Sequence, residues 1–430
     1  MATTQTTNQE LSLDTLDIIS DEHYQRNGYP HREWAYLRRH APVFWYDRPN
    51  VDPFWAITKH ADIISISTRP RVFLNGPRLL IFPKQPGEGP PAGPDPFRHL
   101  LNMDPPEHGQ YRGLINTRFT PRSVRKLEPE IDQIAKRVLD DVTSHVMNKV
   151  AARGECDFVI DVSSKVPLAV IAELIGAPRE DWDNLFKWTN ETIGGSDPEF
   201  QQGASTGETL DRARMAMFQY FAELVSRRQK EPKDDLTSVI ANAKLDGKPL
   251  EPFELLSYFF LLVVAGNETT RNATSGGLLA FIENPDQWER LRKNPALMKT
   301  AVEEIVRWTT PVIQFARTAS EDAEVRGQKI RAGESCGLFY PSGNRDEDVF
   351  QDPYRFDIGR DPNPHVAFGI GEHFCLGANL ARLELEVIFR QLVKRFEHFE
   401  LAGQVERLRS SFVGGIKHMP VRFETRRARN

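Results

Sequence analysis

Cysteine is scarce in this sequence of 430 residues, which contains only Cys156, Cys336 and Cys375. Three cysteines so far apart form no disulfide framework, no zinc ribbon and no C-x-x-C redox pair. Such sparing use of cysteine fits a reducing cytoplasm better than an oxidising compartment. The thiols must therefore be buried structural residues or serve one specific chemical purpose.

Long apolar runs and an excess of positive charge are lacking as well. The longest apolar run, YFFLLVVAG from Tyr258 to Gly266, is far too short to cross a bilayer. The first residues have neither the basic start nor the apolar centre of a signal peptide. A formal net charge of −5 argues against general nucleic-acid binding. We expect a soluble cytoplasmic protein with no membrane span, no nucleic-acid partner and a flexible N-terminus over residues 1–20.

Helical patterns dominate the middle of the chain. The longest, PFELLSYFFLLVVAGNETTRNATSGGLLAFIEN, begins at Pro252 and is apolar nearly all round, which predicts a buried central helix. Short strand-like runs such as PVFWY occur near the start, and SSFVGGIKHMPVRFE predicts a β-hairpin near the end. The pattern favours a mainly α fold with small β-sheets. Its helix-rich core runs from about residue 105 to 400, between β-rich N-terminal and C-terminal parts.

One segment, residues 83–96, consists mostly of proline and glycine. Such a composition cannot form a helix or a central strand. Two interpretations stay open, a passive loop or linker and a mobile flap over a pocket, because long loops in compact proteins are often functional.

The middle of the central helix carries the unexpected sequence AGNETT, from Ala265 to Thr270. Gly266 weakens a helix by about 1 kcal/mol relative to alanine, and Glu268 is costly in an apolar helix unless it is paired or hydrated. This combination predicts a local opening that admits a small ligand beside a proton-delivery pair. A helix kink with a satisfied Glu268 is the alternative.

The sequence AFGIGEHFCLGANLAR, residues 367–382, places Cys375 between glycines and just before a strong helical pattern. A dinucleotide loop is disfavoured because Phe374 occupies the third glycine position of G-x-G-x-x-G and no clear strand precedes it. A helix N-terminus lowers the pKa of a thiol and favours its anion. One soft ligand alone cannot build a zinc or iron–sulfur site, but it can serve as the axial ligand of a haem.

At this point the chain resembles the cytochrome P-450 family of haem-thiolate monooxygenases. FGIGEHFCLG resembles the family signature F-x-x-G-x-[H/R]-x-C-x-G, EIVR its E-x-x-R, FQDPYRF its arginine-bearing element and AGNETT its [A/G]-G-x-[D/E]-T. The resemblance runs from about residue 20 to 425. It implies the cytochrome P-450 fold in a single domain over residues 21–430. Haem would lie between the long central helix and the cysteine-loop helix, as in soluble bacterial members, and the chain looks similar to the actinobacterial branch that oxidises sterols and branched lipids.

The resemblance also implies a role for individual residues. Cys375 would be the axial ligand of a non-covalent haem b, and dioxygen the co-substrate. Glu268 and Thr269 would be the acid–alcohol pair that delivers protons, although Thr269 and Thr270 exchanging roles, or Glu268 pairing with Arg271, stay open. The remaining cofactor contacts would be His108, Arg112, Arg317, His373, Phe368, Gly377 and Ala265. The structural triad would be Glu304, Arg307 and Arg355, and the substrate pocket would include Val263, Val312, Ile313, Phe315 and Val413.

This site implies a monooxygenase that hydroxylates a hydrophobic sterol, terpenoid or branched lipid. Electrons would come from a separate ferredoxin and ferredoxin reductase. The basic strip Arg118–Lys126 is either their docking surface or an ordinary solvated helix start. Alternatives are a haem-thiolate binder, an isomerase or dehydratase, and a peroxide-driven peroxygenase. The acid–alcohol pair favours dioxygen activation over all of these.

Overall fold

The computed structural model of this protein describes residues 11–84, 98–146 and 153–426. Helices dominate these ranges, as predicted, and none of them is long and apolar enough to cross a membrane. In chain order the α-helices are α1 Asp21–Asn27, α2 His31–His40, α3 His60–Ser67, α4 Glu107–Gly113, α5 Pro121–Arg125, α6 Glu128–Val146, α7 Lys165–Ile175, α8 Trp182–Ile193, α9 Thr206–Lys230, α10 Leu236–Ala241, α11 Pro252–Glu283, α12 Pro285–Lys293, α13 Met298–Thr309, α14 Tyr340–Gly343 and α15 Ala378–Arg395.

The strands are short and form small separate sheets. In chain order they are β1 Val43–Arg48, β2 Val51–Ile57, β3 Phe73–Leu74, β4 Arg153–Asp157, β5 Lys244–Leu245, β6 Lys248–Pro249, β7 Gln314–Ala319, β8 Ala323–Val325, β9 Gln328–Ile330, β10 Ser335–Phe339, β11 Phe396–Leu401, β12 Glu406–Arg407, β13 Ile416–His418 and β14 Pro420–Thr425. The largest sheet has the order β1-β2-β10-β7-β3, and a second has the order β11-β14-β4. Three two-stranded ladders pair β12 with β13, β5 with β6 and β8 with β9.

The predicted hairpin near the C-terminus is wrong. Only Met419 separates β13 from β14, which is too short a connection for a hairpin turn. Each strand pairs elsewhere, β13 with β12 and β14 with both β11 and β4. The chain therefore passes directly from one sheet to another at this point.

Helix α11 runs through the main hydrophobic core, as the sequence predicted. Its 32 residues begin at Pro252, where the missing N–H is not needed, and the helix stops before Pro285. It stays helical through the AGNETT stretch, so the predicted opening does not interrupt it. A Cβ on Gly277 would lie 2.8 Å from Ile305 Cγ2 of α13 and 2.9 Å from Phe389 Cζ of α15. Glycine here lets three helices meet closely, which fixes α15 and the cysteine loop against α11.

The prediction of a flexible N-terminus is wrong for the part of it that is described. Leu16, Ile18 and Ile19 are buried and join a core cluster with Trp34 and Phe54. Apolar contacts of this kind fix the segment against β1 and β2. Most of the Pro/Gly-rich segment 83–96 lies outside the described residues.

Candidate active site

A large cavity lies between α11 on one side and the cysteine loop with α15 on the other. It encloses about 1570 Å³ of space not filled by protein atoms, its open mouth included. Its lining is mainly apolar, with Leu100, Leu261, Leu262, Ala265, Phe315 and Leu380 among its walls.

Cys375 enters this cavity from the loop that precedes α15. Its N–H donates to the Phe368 carbonyl at 2.8 Å, which closes the loop on itself. Gly371 has a φ of 76°, and a Cβ there would lie 2.5 Å from the Ser67 carbonyl oxygen. Only glycine fits this position, because another side chain would be both strained and in collision. The glycines noted in the sequence thus shape the loop that presents the thiol.

The three thiols differ in access. Burial raises the pKa of both Cys156 and Cys336 to about 12, so both stay protonated and inert. Burial also raises the pKa of the Cys375 thiol, although the Gly377 N–H and the guanidinium groups of Arg112 and Arg382 oppose it. The predicted lowering by the helix N-terminus is therefore wrong for the protein alone. A metal ion bound at this sulfur would favour its thiolate form.

Two arginines and two histidines gather at one edge of the cavity. His108 and Arg112 lie on α4, Arg317 on β7 and His373 in the cysteine loop, and all four line the cavity. The rings of His108 and His373 are 4.0 Å apart between centroids. Burial, and after it the neighbouring His108, Arg317 and Arg112, lowers the pKa of His373 to about 2. His373 Nε2 is buried and has no hydrogen-bond partner among the described residues.

This donor set fits haem b. Cations crowded at one edge, with an unpartnered buried nitrogen among them, call for the anionic groups of a ligand, as two carboxylates would supply. The thiol faces the same apolar space, and Phe368, Gly377 and Ala265 line it too. A flat apolar macrocycle with two carboxylates and a thiolate-binding iron satisfies all of these groups together.

The acid and alcohol of α11 are separated. Thr269 and Thr270 line the cavity, and the Thr269 hydroxyl donates to the Ala265 carbonyl at 2.9 Å. Glu268 points away from the cavity, buried in an ion pair with Arg271. Burial raises the pKa of Glu268, and Arg271 partly offsets the shift. Of the two interpretations left open by the sequence, the pairing of Glu268 with Arg271 is the one observed.

The pair of Glu268 and Arg271 is also tied to α8. Arg271 donates to Asn190 Oδ1 at 2.6 Å, and Asn267 Nδ2 donates to Thr189 Oγ1 at 3.0 Å. Both contacts are buried. The polar residues of α11 therefore hold α8 beside it, and the cavity face of α11 is left to Ala265 and the threonines.

A buried ion network lies beyond α13, with one member different from the prediction. Glu304 and Arg307 form two hydrogen bonds of 2.7 Å and are fully buried. The third member is Arg360, whose Nε lies 3.1 Å from Glu304 Oε2. Arg355 is exposed and contributes only its carbonyl oxygen, so its assignment to the triad is wrong. Arg360 lies five residues after Arg355 in the same segment, FQDPYRFDIGR, and holds that segment to Glu304.

The predicted substrate residues divide into two groups. Val312 and Phe315 line the cavity, whereas Val263, Ile313 and Val413 are buried elsewhere and do not. Leu261 and Leu262 take the place of Val263. Helical spacing could have found them, because residues 261 and 262 precede Ala265 and Gly266 by four positions, on one helix face. Val263 lies two positions from Ala265 and therefore points to the opposite face.

Sequence reasoning also missed Glu384 of α15. This carboxyl group lines the cavity, is 2% exposed, and its Oε2 has no hydrogen-bond partner among the described residues. Burial holds its pKa well above the ordinary value, which favours the protonated, neutral acid. Its position nine residues after Cys375, inside an apolar helix, gave no signal of its own.

Comparisons with known proteins agree with this geometry. The family model for Cytochrome P450 matches residues 91–420. The steroid C26-monooxygenase of Mycolicibacterium smegmatis is 39% identical over 92% of this chain and 90% of its own length. The methyl-branched lipid omega-hydroxylase of Mycobacterium bovis is 36% identical over 96% of this chain and 94% of its own length.

A solved structure shares the fold as well. The crystallised cytochrome P450 of Mycobacterium marinum in complex with pseudoionone superposes with a TM-score of 0.86, at 37% identity, covering 96% of this chain and 99% of that one. A cysteine loop beneath an apolar cavity, cations at its edge and this similarity over nearly the whole length lead to one conclusion. The chain belongs to the cytochrome P450 family and is a cytochrome P450 monooxygenase.

Proposed function

We propose that this monooxygenase uses electrons from a separate ferredoxin and its reductase to hydroxylate a hydrophobic molecule of the steroid, terpenoid or branched-lipid class in the cytoplasm. The single observation that carries the proposal is the cavity itself. One wall presents Cys375, the opposite wall presents Thr269, and the space between them is apolar. Such a cavity suits a cofactor that oxidises a hydrocarbon held against it.

Haem b is the cofactor that the donor set fits. When bound through a cysteine thiolate, it supplies dioxygen activation, because the thiolate pushes electron density toward the iron and favours cleavage of the O–O bond. The chain's own part is to hold it. Cys375 would supply the thiolate that holds the iron, and His108, Arg112, Arg317 and His373 would donate hydrogen bonds to its carboxylates.

Protons must reach the cavity from α11. The Thr269 hydroxyl lies on the cavity face and can turn from the Ala265 carbonyl toward a bound molecule. Glu268 has no face on the cavity, so it acts through a rearrangement that frees it from Arg271 or through water. We therefore assign the direct hydroxyl contact to Thr269 and a supporting role in proton supply to Glu268.

The substrate is recognised mainly by burial of hydrocarbon. Leu100, Leu261, Leu262, Val312 and Phe315 offer apolar surface, and each Å² of apolar area removed from water contributes about 25 cal/mol. The similarity to a steroid C26-monooxygenase and a methyl-branched lipid hydroxylase supports a long, branched hydrocarbon. A terpenoid of similar shape would meet the same surfaces.

The electron donor is expected on the cysteine side of the protein. A groove there is lined by the basic residues Arg125, Lys299, Arg360 and Arg382 and by the acidic residues Glu303, Asp361 and Glu386. Arg382 lies over the Phe368 ring at 4.5 Å, and the Phe368 carbonyl accepts the Cys375 N–H. An acidic ferredoxin bound in this groove would be separated from the Cys375 thiol by the ring of Phe368. The basic strip Arg118–Lys126 contributes Arg125 to the same surface.

The first experiment is a visible-spectrum titration of the purified ferric protein with sterols, terpenes, branched fatty acids and small aromatics. We expect one class to shift the Soret band from low to high spin, followed by hydroxylated product when NADH, ferredoxin and reductase are added. Cys375→Ala should abolish the thiolate-type spectrum, and its retention would refute the ligand assignment. Spin shifts without product would favour the binder or isomerase alternatives, and product with peroxide alone would favour a peroxygenase.

A further inference from the structure

The connection between α8 and α9, residues 194–205, is fastened to the segment that precedes β13. The Ser196 hydroxyl donates to the Arg409 carbonyl at 2.8 Å, and the Arg409 N–H donates to Asp197 Oδ2 at 3.0 Å. A Cβ on Gly194 would lie 3.1 Å from Leu408 Cδ1, so the two segments pack closely. The connection therefore rests on residues 408–409.

The segment on which it rests forms the back of the cavity wall. The Ile313 N–H donates to the Phe412 carbonyl and the Gly414 N–H to the Pro311 carbonyl, both at 2.8 Å. Pro311 and Val312 line the cavity, and the Phe412 ring lies 5.7 Å from the ring of Phe315, which also lines it. The 194–205 connection is thus linked to the cavity wall through residues 408–414.

A cluster of five charged side chains holds this arrangement, namely Asp157, Asp197, Glu199, Lys417 and His418. Asp197 is fully buried and accepts hydrogen bonds from Lys417 Nζ and from two backbone N–H groups. His418 of β13 stands between two carboxylates. Its Nδ1 lies 2.6 Å from Asp157 Oδ2 and its Nε2 lies 2.9 Å from Glu199 Oε1.

Both ring nitrogens of His418 face acceptors, and this decides its protonation. A neutral imidazole has one N–H, so it can satisfy one carboxylate and must present a lone pair to the other. Only the imidazolium donates to both. Partial burial lowers the pKa of His418, but the hydrogen bonds to Asp157 and Glu199 outweigh it, and the net pKa is raised.

The other charged groups near His418 do not reverse this upward shift of its pKa. Lys417 is the neighbouring cation and is itself bound to Asp197 and Glu199. Glu406 of β12 stands opposite His418 in the ladder, and Asp161 accepts the Asp157 N–H. On the connected segment, Arg409 is paired with Glu22. The acids in this set outnumber the cations.

We propose that His418 is a positioning residue whose protonated ring fastens the 194–205 connection to the cavity wall, and whose deprotonation loosens the connection and speeds exchange of hydrophobic ligands. The sign follows from linkage. A raised histidine pKa gives a contact that is complete below about pH 6.5 and is lost as the pH rises through the folded value. Lys417 keeps the connection attached above that range, so the loosening is partial.

The test measures amide hydrogen exchange in the holoenzyme at pH 6.0 and 8.5, corrected for the intrinsic pH dependence of exchange. The Phe200 and Gln201 amides, which bond to the Asp197 carbonyl, and the Arg409 amide are the reporters. In the wild-type protein we expect their protection to fall by about fivefold at the higher pH, the scale of one partly screened ion pair. His418→Lys, charged at both pH values, should remove this difference and keep the high protection.

Two further variants complete the design. Glu199→Gln removes the carboxylate on the connection and should give low protection at both pH values. This result tests the proposal even if His418→Lys does not fold. His398→Asn alters an exposed histidine of β11 and should leave the wild-type behaviour intact. Equal wild-type protection at pH 6.0 and 8.5, or a pH dependence that survives in His418→Lys, would overturn the proposal.

A second readout connects the device to ligand exchange and rests on the proposed function through the bound haem. Cyclohexyl isocyanide, a hydrophobic iron ligand that does not titrate in this range, is mixed with the ferric or reduced protein and followed at the Soret band. Binding and release should both be about fivefold faster at pH 8.5 than at pH 6.0, but equal in His418→Lys. Absence of any Soret response would contradict the haem site while leaving the amide result to decide the role of His418.

Discussion

Replacing Arg360 by alanine should destabilise the protein far more than replacing Arg355. Arg360 Nε donates to Glu304, and its remaining nitrogens donate to the carbonyls of Gln351 at 2.6 Å, Asp352 at 3.2 Å and Arg355 at 3.0 Å. Its side chain is 10% exposed, and that of Glu304 is fully buried. Removing it leaves a buried carboxylate with one cation fewer and the Gln351 carbonyl without its donor, whereas the Asp352 carbonyl keeps the Arg355 N–H and the Arg355 carbonyl keeps Arg307.

The magnitude follows from these contacts. Removal of one partner of a buried pair costs about 3–5 kcal/mol, an upper bound here because Arg307 still holds Glu304. Loss of one hydrogen bond to a charged group costs about 1.5–3 kcal/mol. We expect Arg360→Ala to lower the free energy of unfolding by about 2–3 kcal/mol, and Arg355→Ala, at an exposed side chain, by less than about 0.5 kcal/mol.

Urea denaturation of both variants, followed by circular dichroism with the slope m compared, measures this difference. Arg360→Lys is the matched control, since it keeps the charge but not the fork of donors, and should fall between alanine and the wild type. A similar loss for Arg355→Ala and Arg360→Ala would refute the reasoning, because it would place the Arg355 side chain in the network.

Three further predictions concern the cavity and its loop. Gly371→Ala should destabilise the cysteine loop by more than about 2 kcal/mol in thermal unfolding, while Gly333→Ala, which also has a positive φ but open space around it, should cost about 1 kcal/mol; equal costs would contradict the collision with Ser67. The raised pKa of Glu384 lets the folded state hold a proton that the unfolded state releases, so the free energy of unfolding of the wild type should fall above about pH 4.5, by up to about 1.4 kcal/mol per pH unit. Glu384→Gln should flatten this fall in urea denaturation. An unchanged slope would show that Glu384 is ionised. Thr269→Ala should lower product formed per NADH consumed, without abolishing the substrate-induced spin shift, and full coupling would count against its hydroxyl role.

Sequence patterns predicted those parts of the fold in which a residue type serves a single structural purpose. The central helix from Pro252 and the cysteine loop before α15 followed from apolar periodicity and from glycine positions. The cations at the cavity edge came from a family resemblance, since nothing in the spacing of residues 108, 112, 317 and 373 brings them together. The fold then places all four on one wall.

The incorrect predictions share a physical cause, because tertiary packing decides which partner each side chain or strand meets. FQDPYRFDIGR contains two arginines, and only the packed turn decides that Arg360 faces Glu304 while Arg355 faces solvent. Alternation predicted β13 and β14 correctly as strands but could not show that they join different ladders. Glu268 carried two possible partners in the sequence, and burial with Arg271 decided between them.

Because the three cysteines lie in different environments, their reactivity can report the fraction of chains that carry the cofactor. Alkylating reagents attack thiolates, and the pKa of about 12 for Cys156 and Cys336 keeps these two unreactive at pH 8. Burial raises the pKa of Cys375 as well, but Cys375 is the exposed thiol of the three and opens onto the cavity, so it is the one that a small maleimide can reach when iron does not hold it. Mass spectrometry of a maleimide-treated preparation would then count, molecule by molecule, the fraction of chains that lack their prosthetic group.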